Sequence, residues 1–303
     1  MKRSIAAILI LLLSTSCLFA EINYTDFLNK SSGARGMAMG SAYTALAEGP
    51  DSVFLNPAGL AFELWSIQFA NSYASYFKEI EKTNFHILAP FMNGMAEISL
   101  VRSQVSDIPY VEEVAGRPNV AYYFTNEVSA LVLSYAQKLD PLIGVGFNLK
   151  SYNHKLDQDS ASALAVDVGL KYQSNEPSDS APALGEIGLL VQNVFSTPMT
   201  WTTGQKDNFQ TLYTLGIAKQ IWTANAKLVG TIDMDVFEGK RPIMRYGLEY
   251  WLSKNALAVR AGLNNTNFTF GLGLKFAGLQ MDYAYLTNDD LGNSHKASFI
   301  IAL

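Results

Sequence analysis

The stretch FTFGLGLKF, Phe268 to Phe276, decides the fold class. In an extended chain successive side chains point to opposite sides. Phe268, Phe270, Leu272, Leu274 and Phe276 therefore share one face, and Thr269, Gly271, Gly273 and Lys275 share the other. Leu164 to Tyr172 and Leu257 to Leu263 repeat the pattern, the latter with Arg260 on its second face. In Met244 to Leu252 the residues Met244, Tyr246, Leu248, Tyr250 and Leu252 stand opposite Arg245 and Glu249.

The second face separates two kinds of β protein. In a soluble sandwich it meets water and favours Lys, Glu and Thr. Here it is mostly Gly, Ala, Ser and Thr with scattered charges, which suits the inside of a barrel, with Arg245, Glu249, Arg260 and Lys275 as candidate lumen residues. Aromatic residues (Tyr135, Tyr172, Tyr250, Trp251, Tyr283 and Tyr285) mark the ends of the apolar faces, as expected where a lipid-facing band meets its two interfaces. Strands in lipid must close on themselves, because an open edge leaves backbone groups unpaired in hydrocarbon. The class is all-β, a transmembrane antiparallel barrel.

Fourteen strands are expected, centred near Ile67, Phe85, Ile98, Leu131, Val145, Val166, Leu189, Leu215, Leu228, Leu248, Val259, Leu272, Met281 and Phe299. An even number places both ends on one side, so long outer loops should alternate with short turns. Ser103–Asn119, Asn153–Ser160, Phe195–Asp207, Asp235–Arg241 and Thr287–His295 read as the long ones. Gln173–Leu184 is long where a short turn is expected, which leaves twelve or sixteen strands open.

The 303 residues begin with MKRSIAAILILLLSTSCLFA: basic Lys2 and Arg3, an apolar run from Ile5 to Leu13, and a cleavage site after Ala20. That is the pattern of a secretory signal peptide, too short to span a bilayer. Cys17 is the only cysteine, so the mature chain has no disulfide. Lipidation of Cys17 is the alternative, although Ser14-Thr15-Ser16 lacks the usual apolar residue before it. A net charge of -5 and the lack of any Lys/Arg cluster argue against a nucleic-acid partner.

Nothing calls for an enzyme or a cofactor. His86, His154 and His295 lie far apart, without the three or four convergent ligands that a metal needs. Gly144-Val-Gly146 and Gly271-Leu-Gly273 fall inside strands, not between a strand and a helix as phosphate loops require, and read as wall glycines. Asp233 and Asp235 share a face and read as rim or lumen acids.

One segment departs from the alternation: GARGMAMGSAYTALAEGPDSVFLNPAGLAF, Gly33 to Phe62. It is small, mildly apolar and poor in charge. Asn56 suits an N-cap, Pro57 the first helical position and Gly59 the end of a short turn. Such a segment suits a plug, since about fourteen strands enclose more space than wall side chains fill. The expected organisation is a signal peptide over 1–20, a plug over 21–63 and the barrel over 64–303.

These same residues carry a resemblance. The segment is similar to the N-terminal hatch of the FadL/OmpP1 superfamily of outer-membrane transporters, and most to its PorV/PorQ-like and UPF0164 branch. The matching elements are Gly33-Ala34-Arg35, Met39-Gly40, the run Tyr43 to Ala47, Asp51, and Asn56-Pro57-Ala58-Gly59-Leu60. The end, QMDYAYLTNDDLGNSHKASFIIAL from Gln280 to Leu303, resembles the closing hairpin of that branch. The resemblance implies a fourteen-stranded barrel in the outer membrane of a diderm bacterium, among its lipids. Its hatch would act as gate through Gly33, Arg35, Gly40, Asn56, Pro57, Ala58 and Gly59. It implies passive uptake of a hydrophobic or amphiphilic small molecule such as a long-chain fatty acid. The PorV side implies an alternative, a barrel subunit of a protein secretion or surface-attachment machinery with a protein partner. Two departures stand out: the chain is shorter than typical fatty acid transporters, and it closes on Leu303 instead of an aromatic residue.

Overall fold

A computed structural model describes residues 33–63, 66–174, 185–222, 226–252, 256–288 and 292–303. The signal-peptide reading of 1–20 and residues 175–184 of the long connection lie outside them. The strands are β1 (Gln68–Tyr76), β2 (Ile80–Phe91), β3 (Gly94–Val114), β4 (Arg117–Asp140), β5 (Ile143–Leu156), β6 (Asp159–Gln173), β7 (Glu186–Ser196), β8 (Met199–Trp201) and β9 (Lys206–Asp207). They continue with β10 (Leu212–Trp222), β11 (Lys227–Phe237), β12 (Ile243–Leu252), β13 (Leu257–Asn264), β14 (Asn267–Phe276), β15 (Leu279–Leu286) and β16 (Ser294–Ala302).

The strands other than β8 and β9 pair antiparallel in chain order, with β7 pairing directly with β10, and β1 pairs with β16 from Gln68–Ala302 to Ser75–His295. The sheet closes into a barrel of fourteen strands, with β8 and β9 forming a small hairpin at one rim. Thirteen of the expected centres fall inside strands, and Ile67 immediately precedes β1. Both ends of the barrel lie at one rim, here the terminal rim.

Closure turns the period-two pattern into two surfaces. Phe268, Phe270, Leu272, Leu274 and Phe276 are 49–77% exposed on the outside, whereas Thr269, Gly271 and Gly273 are buried. A one-residue slip would exchange the two sets, so burial fixes the register. Outward aromatics cluster near both rims: Phe91, Tyr135 and Phe147 toward the terminal rim, Tyr283 and Tyr285 toward the far one. Trp251 corrects the sequence expectation. It points inward and is buried, because it follows Tyr250 and takes the opposite parity.

Two of the expected long loops are strands instead. Cross-strand pairing carries β3 to Val114 and β4 from Arg117, well past the last pairs with β2 (Glu81–Gln104) and β5 (Asn126–Leu156). The result is a projecting ribbon with both edges free, bulged near Asp107. Its Tyr110 and Tyr122 rings stack at 4.8 Å, and Tyr122 donates a 2.7 Å hydrogen bond to Asp157. That bond to a carboxylate pushes the Tyr122 phenol up to about 12. Asn153–Ser160 closes through a tight turn at Asp157, whose φ is +54°.

Candidate functional site

The segment Gly33–Phe62 is seated inside the barrel. It forms α1 (Ala34–Ala38) and two 3-10 turns, Pro50–Phe54 and Pro57–Phe62. Asn56 caps the second turn as its sequence suggests, its Oδ1 accepting from Ala58 N at 3.1 Å. Gly59 does not end that turn, which runs on to Phe62. The glycine instead allows close packing, since a Cβ there would lie 2.3 Å from the Ala47 carbonyl oxygen.

Wall glycines make the room. A Cβ at Gly146 would meet the Pro57 carbonyl carbon at 2.5 Å, one at Gly188 the Thr44 oxygen at 2.2 Å, and one at Gly271 the Ala38 Cβ at 2.4 Å. Gly40 adopts φ +64° and passes within 2.7 Å of the Tyr246 and Leu263 carbonyl oxygens, measured from an added Cβ. At Gly33 a Cβ would collide with the Asp51 carboxylate.

Polar wall side chains hold the segment's backbone. Asp233 accepts from Tyr43 N (3.0 Å) and Thr44 N (2.9 Å). Thr269 accepts from Gly40 N and donates to Ala38 O, both at 2.9 Å. Asn148 donates to Val53 O (2.7 Å) and Lys171 to Ala47 O (2.9 Å). In the reverse sense, Asn56 Nδ2 donates to Thr44 O and to the wall carbonyl of Leu170. Asn56→Ala removes the cap and both donors, and is expected to cost about 1–3 kcal/mol. Urea titration of the folded protein in vesicles should show it, and an unchanged midpoint would refute this role for Asn56.

A buried ionic cluster joins segment to wall. Arg35 makes a two-pronged contact with Glu249, both bonds 2.8 Å, and also pairs with Glu48. Glu249 is shared with Arg260 (2.6 Å), which reaches Asp282 at 2.6 Å. Both guanidinium groups lie near the Trp251 ring, at 5.7 Å for Arg35 and 5.3 Å for Arg260. Buried charges persist only when paired, and this cluster alternates in sign throughout. Arg245 sits apart, against Asp235 (2.6 Å) and Asp233 (3.7 Å). These two acids are therefore buried and bonded, not on a solvated rim. Lys275 is exposed at the terminal rim. There it lines a cavity of about 370 Å³ together with Arg35, Glu48, Asp51 and Glu63.

Asn148, Lys171 and Asp282 were not among the residues singled out from sequence. Their signal was available, since each is a polar residue on the inward parity of a strand. His86 contacts Glu97 at 2.9 Å, the His154 ring lies tilted against Trp201, and His295 meets the Tyr283 hydroxyl. Among the described residues no group of three or more His, Cys, Asp or Glu could hold a metal ion.

Part of the interior is apolar, within a wall that also buries Lys82, Asn84 and Lys150. Val101, Ala130, Val132, Ala161 and Ala163 line one side, continuous with Val53, Phe54 and Leu60 of the segment. Met199 and Phe209, from the β7–β10 connection, are buried in the same cluster, and Phe209 packs on Tyr152 at 5.1 Å.

The chain is similar in fold to the CymD monoaromatic hydrocarbon channel (TM-score 0.61, 12% identity, 89% of this chain and 96% of that one). It is also similar to the Pseudomonas putida toluene transporter TodX (TM-score 0.55, 12% identity, 89% and 96%) and to a Pseudomonas aeruginosa FadL homologue (TM-score 0.50, 11% identity, 89% and 97%). No protein-family model and no curated protein matches the sequence.

Proposed function

We propose that the protein is an outer-membrane channel of a diderm bacterium for passive uptake of hydrophobic or amphiphilic small molecules, with Gly33–Phe62 as a hatch that gates the bore. The observation that carries this is the apolar interior bounded by Val53, Phe54 and Leu60 of the segment and by Met199 and Phe209 on the far side. An apolar solute seated against this cluster would leave water at about 25 cal/mol per Å² buried. The channels of similar fold are described as carrying monoaromatic hydrocarbons and toluene, cargo of the chemistry this interior suits. Long-chain fatty acids belong to the same class, and no step of this function is catalytic.

The test is binding of toluene and of palmitate to the refolded barrel, with uptake measured in cells lacking the gene. Saturable binding of at least one solute, weakened by Val132→Asp and accompanied by slower uptake, is the expected result. No binding and no uptake defect would end the proposal.

An alternative role, a docking subunit of a secretion or surface-attachment machinery, is favoured by one observation. The β3–β4 ribbon exposes Tyr123, Val111 and Val120 and leaves both strand edges unpaired, a surface to which another chain can add a strand. Crosslinking in intact cells followed by purification tests it. A partner captured through the ribbon supports docking, and recovery of the barrel alone counts against it.

A further inference from the structure

Two depressions adjoin each other on the wall between β2 and β8. One, about 380 Å³, is lined by Thr83, Phe85, Leu100 and Arg102 among others; the other, about 370 Å³, is lined by Glu127, Lys155, Ser162 and Thr200 among others. Ser129 and Asn153 belong to both. The residues named here alternate with buried Asn84, Val101, Ala130, Tyr152 and Ala161, so they sit on the outer surface, not in the bore.

Strand register orders this surface into rows. Phe85, Leu100 and Leu131 stand opposite one another, 39–53% exposed, and Leu164 extends their row beyond Ser151. Two residues farther along each strand, the row becomes Thr83, Arg102, Ser129, Asn153, Ser162 and Thr200. Two farther again it is Glu81, Gln104, Glu127, Lys155 and Ser160. The wall thus changes from apolar to hydrogen-bonding over one step of roughly 7 Å. The charges in the polar rows balance, Glu81 and Glu127 against Arg102 and Lys155, and Arg102 pairs with Glu127 at 2.6 Å. Hydroxyl and amide groups remain, without net charge.

We propose that this face binds a membrane lipid with an uncharged, hydroxyl-rich headgroup, a glycosyl lipid. Its acyl chains lie along Phe85, Leu100, Leu131 and Leu164, and its sugar hydroxyls exchange hydrogen bonds with Ser129, Asn153, Ser162 and Thr200. An anionic phosphate headgroup would need cations in excess of acids, and the four charges of the two polar rows balance. The inference rests on the barrel standing in a membrane, and it does not depend on what crosses the bore.

The test equilibrates the detergent-purified, full-length protein with mixed micelles of monoglucosyl diacylglycerol, phosphatidylethanolamine and phosphatidylglycerol of matched acyl chains. Retained lipid is then counted by native mass spectrometry. The glucosyl lipid should be retained above both phospholipids. The variant Ser129→Val/Asn153→Leu/Ser162→Val should retain it roughly fivefold less while keeping its heat-modifiable gel shift. Asn153→Leu alone serves if the triple variant does not fold. Equal retention of the three lipids, preference for phosphatidylglycerol, or full displacement by free glucose would each overturn the proposal. Toluene binding measured on the same preparation reports separately on the bore. Extraction of the protein from cells by buffer alone would remove the membrane premise itself.

Discussion

Glu249→Gln is expected to be the most damaging single substitution in the interior, at about 3–5 kcal/mol. Its carboxylate is shared by Arg35 of the segment and Arg260 of the wall, and the side chain is fully buried. The neutral amide would leave two buried guanidinium groups side by side without the charge between them. Arg35→Met should cost less, about 1–3 kcal/mol, because Glu249 keeps Arg260 and the half-exposed Glu48 can turn to water. The double variant should cost less than the sum of the two, since removing Arg35 relieves the repulsion that Glu249→Gln creates. Urea titrations in vesicles give the three energies, and conductance across a planar bilayer reports release of the segment. A Glu249→Gln protein with wild-type stability and wild-type conductance would refute the coupling.

Valine at the wall glycines should act in the opposite way, sparing the barrel and expelling the segment. At Gly146 and Gly188 the added Cβ would lie 2.2–2.6 Å from backbone atoms of Pro57, Ala58 and Thr44, which cannot swing aside as a flexible side chain can. Both positions have ordinary strand backbone, where valine is favoured. Gly146→Val/Gly188→Val should therefore keep the heat-modifiable shift of a closed barrel. It should also raise conductance at least tenfold and expose the Ala34–Phe62 stretch to protease. Wild-type conductance with a protected segment would mean that the bore can widen around it.

The wall was legible in the sequence because its rule is local. Period-two alternation located Phe85, Val166 and Leu272 in strands, whatever the distance to their partners. Polar strand ends were harder, since Ser103–Val114 has no buried face to enforce a pattern and read as a loop. The capping role of Asn56 was equally local. The pairing of charges was not. Nothing near Arg35 in sequence points to Glu249, and nothing near Asp233 points to the amides of Tyr43 and Thr44. These partners meet only when strands on different sides of the barrel face a common interior. Trp251 shows the remaining weakness: an aromatic at a strand end suggests an interfacial belt, but one step of parity sends it inside.

The seated segment also measures the barrel. Its start is anchored at β16, where Ala34 N donates to Ser298 Oγ, and its later part reaches β5 and β6, where Pro57 and Asn56 meet Gly146 and Gly169. It therefore spans the bore as a rod of set length between distant points on the circumference. A ring of twelve strands would crowd that rod, and one of sixteen would carry its acceptors out of reach. Strand pairing alone tolerates either ring, so the segment seated in the bore constrains the circumference from within.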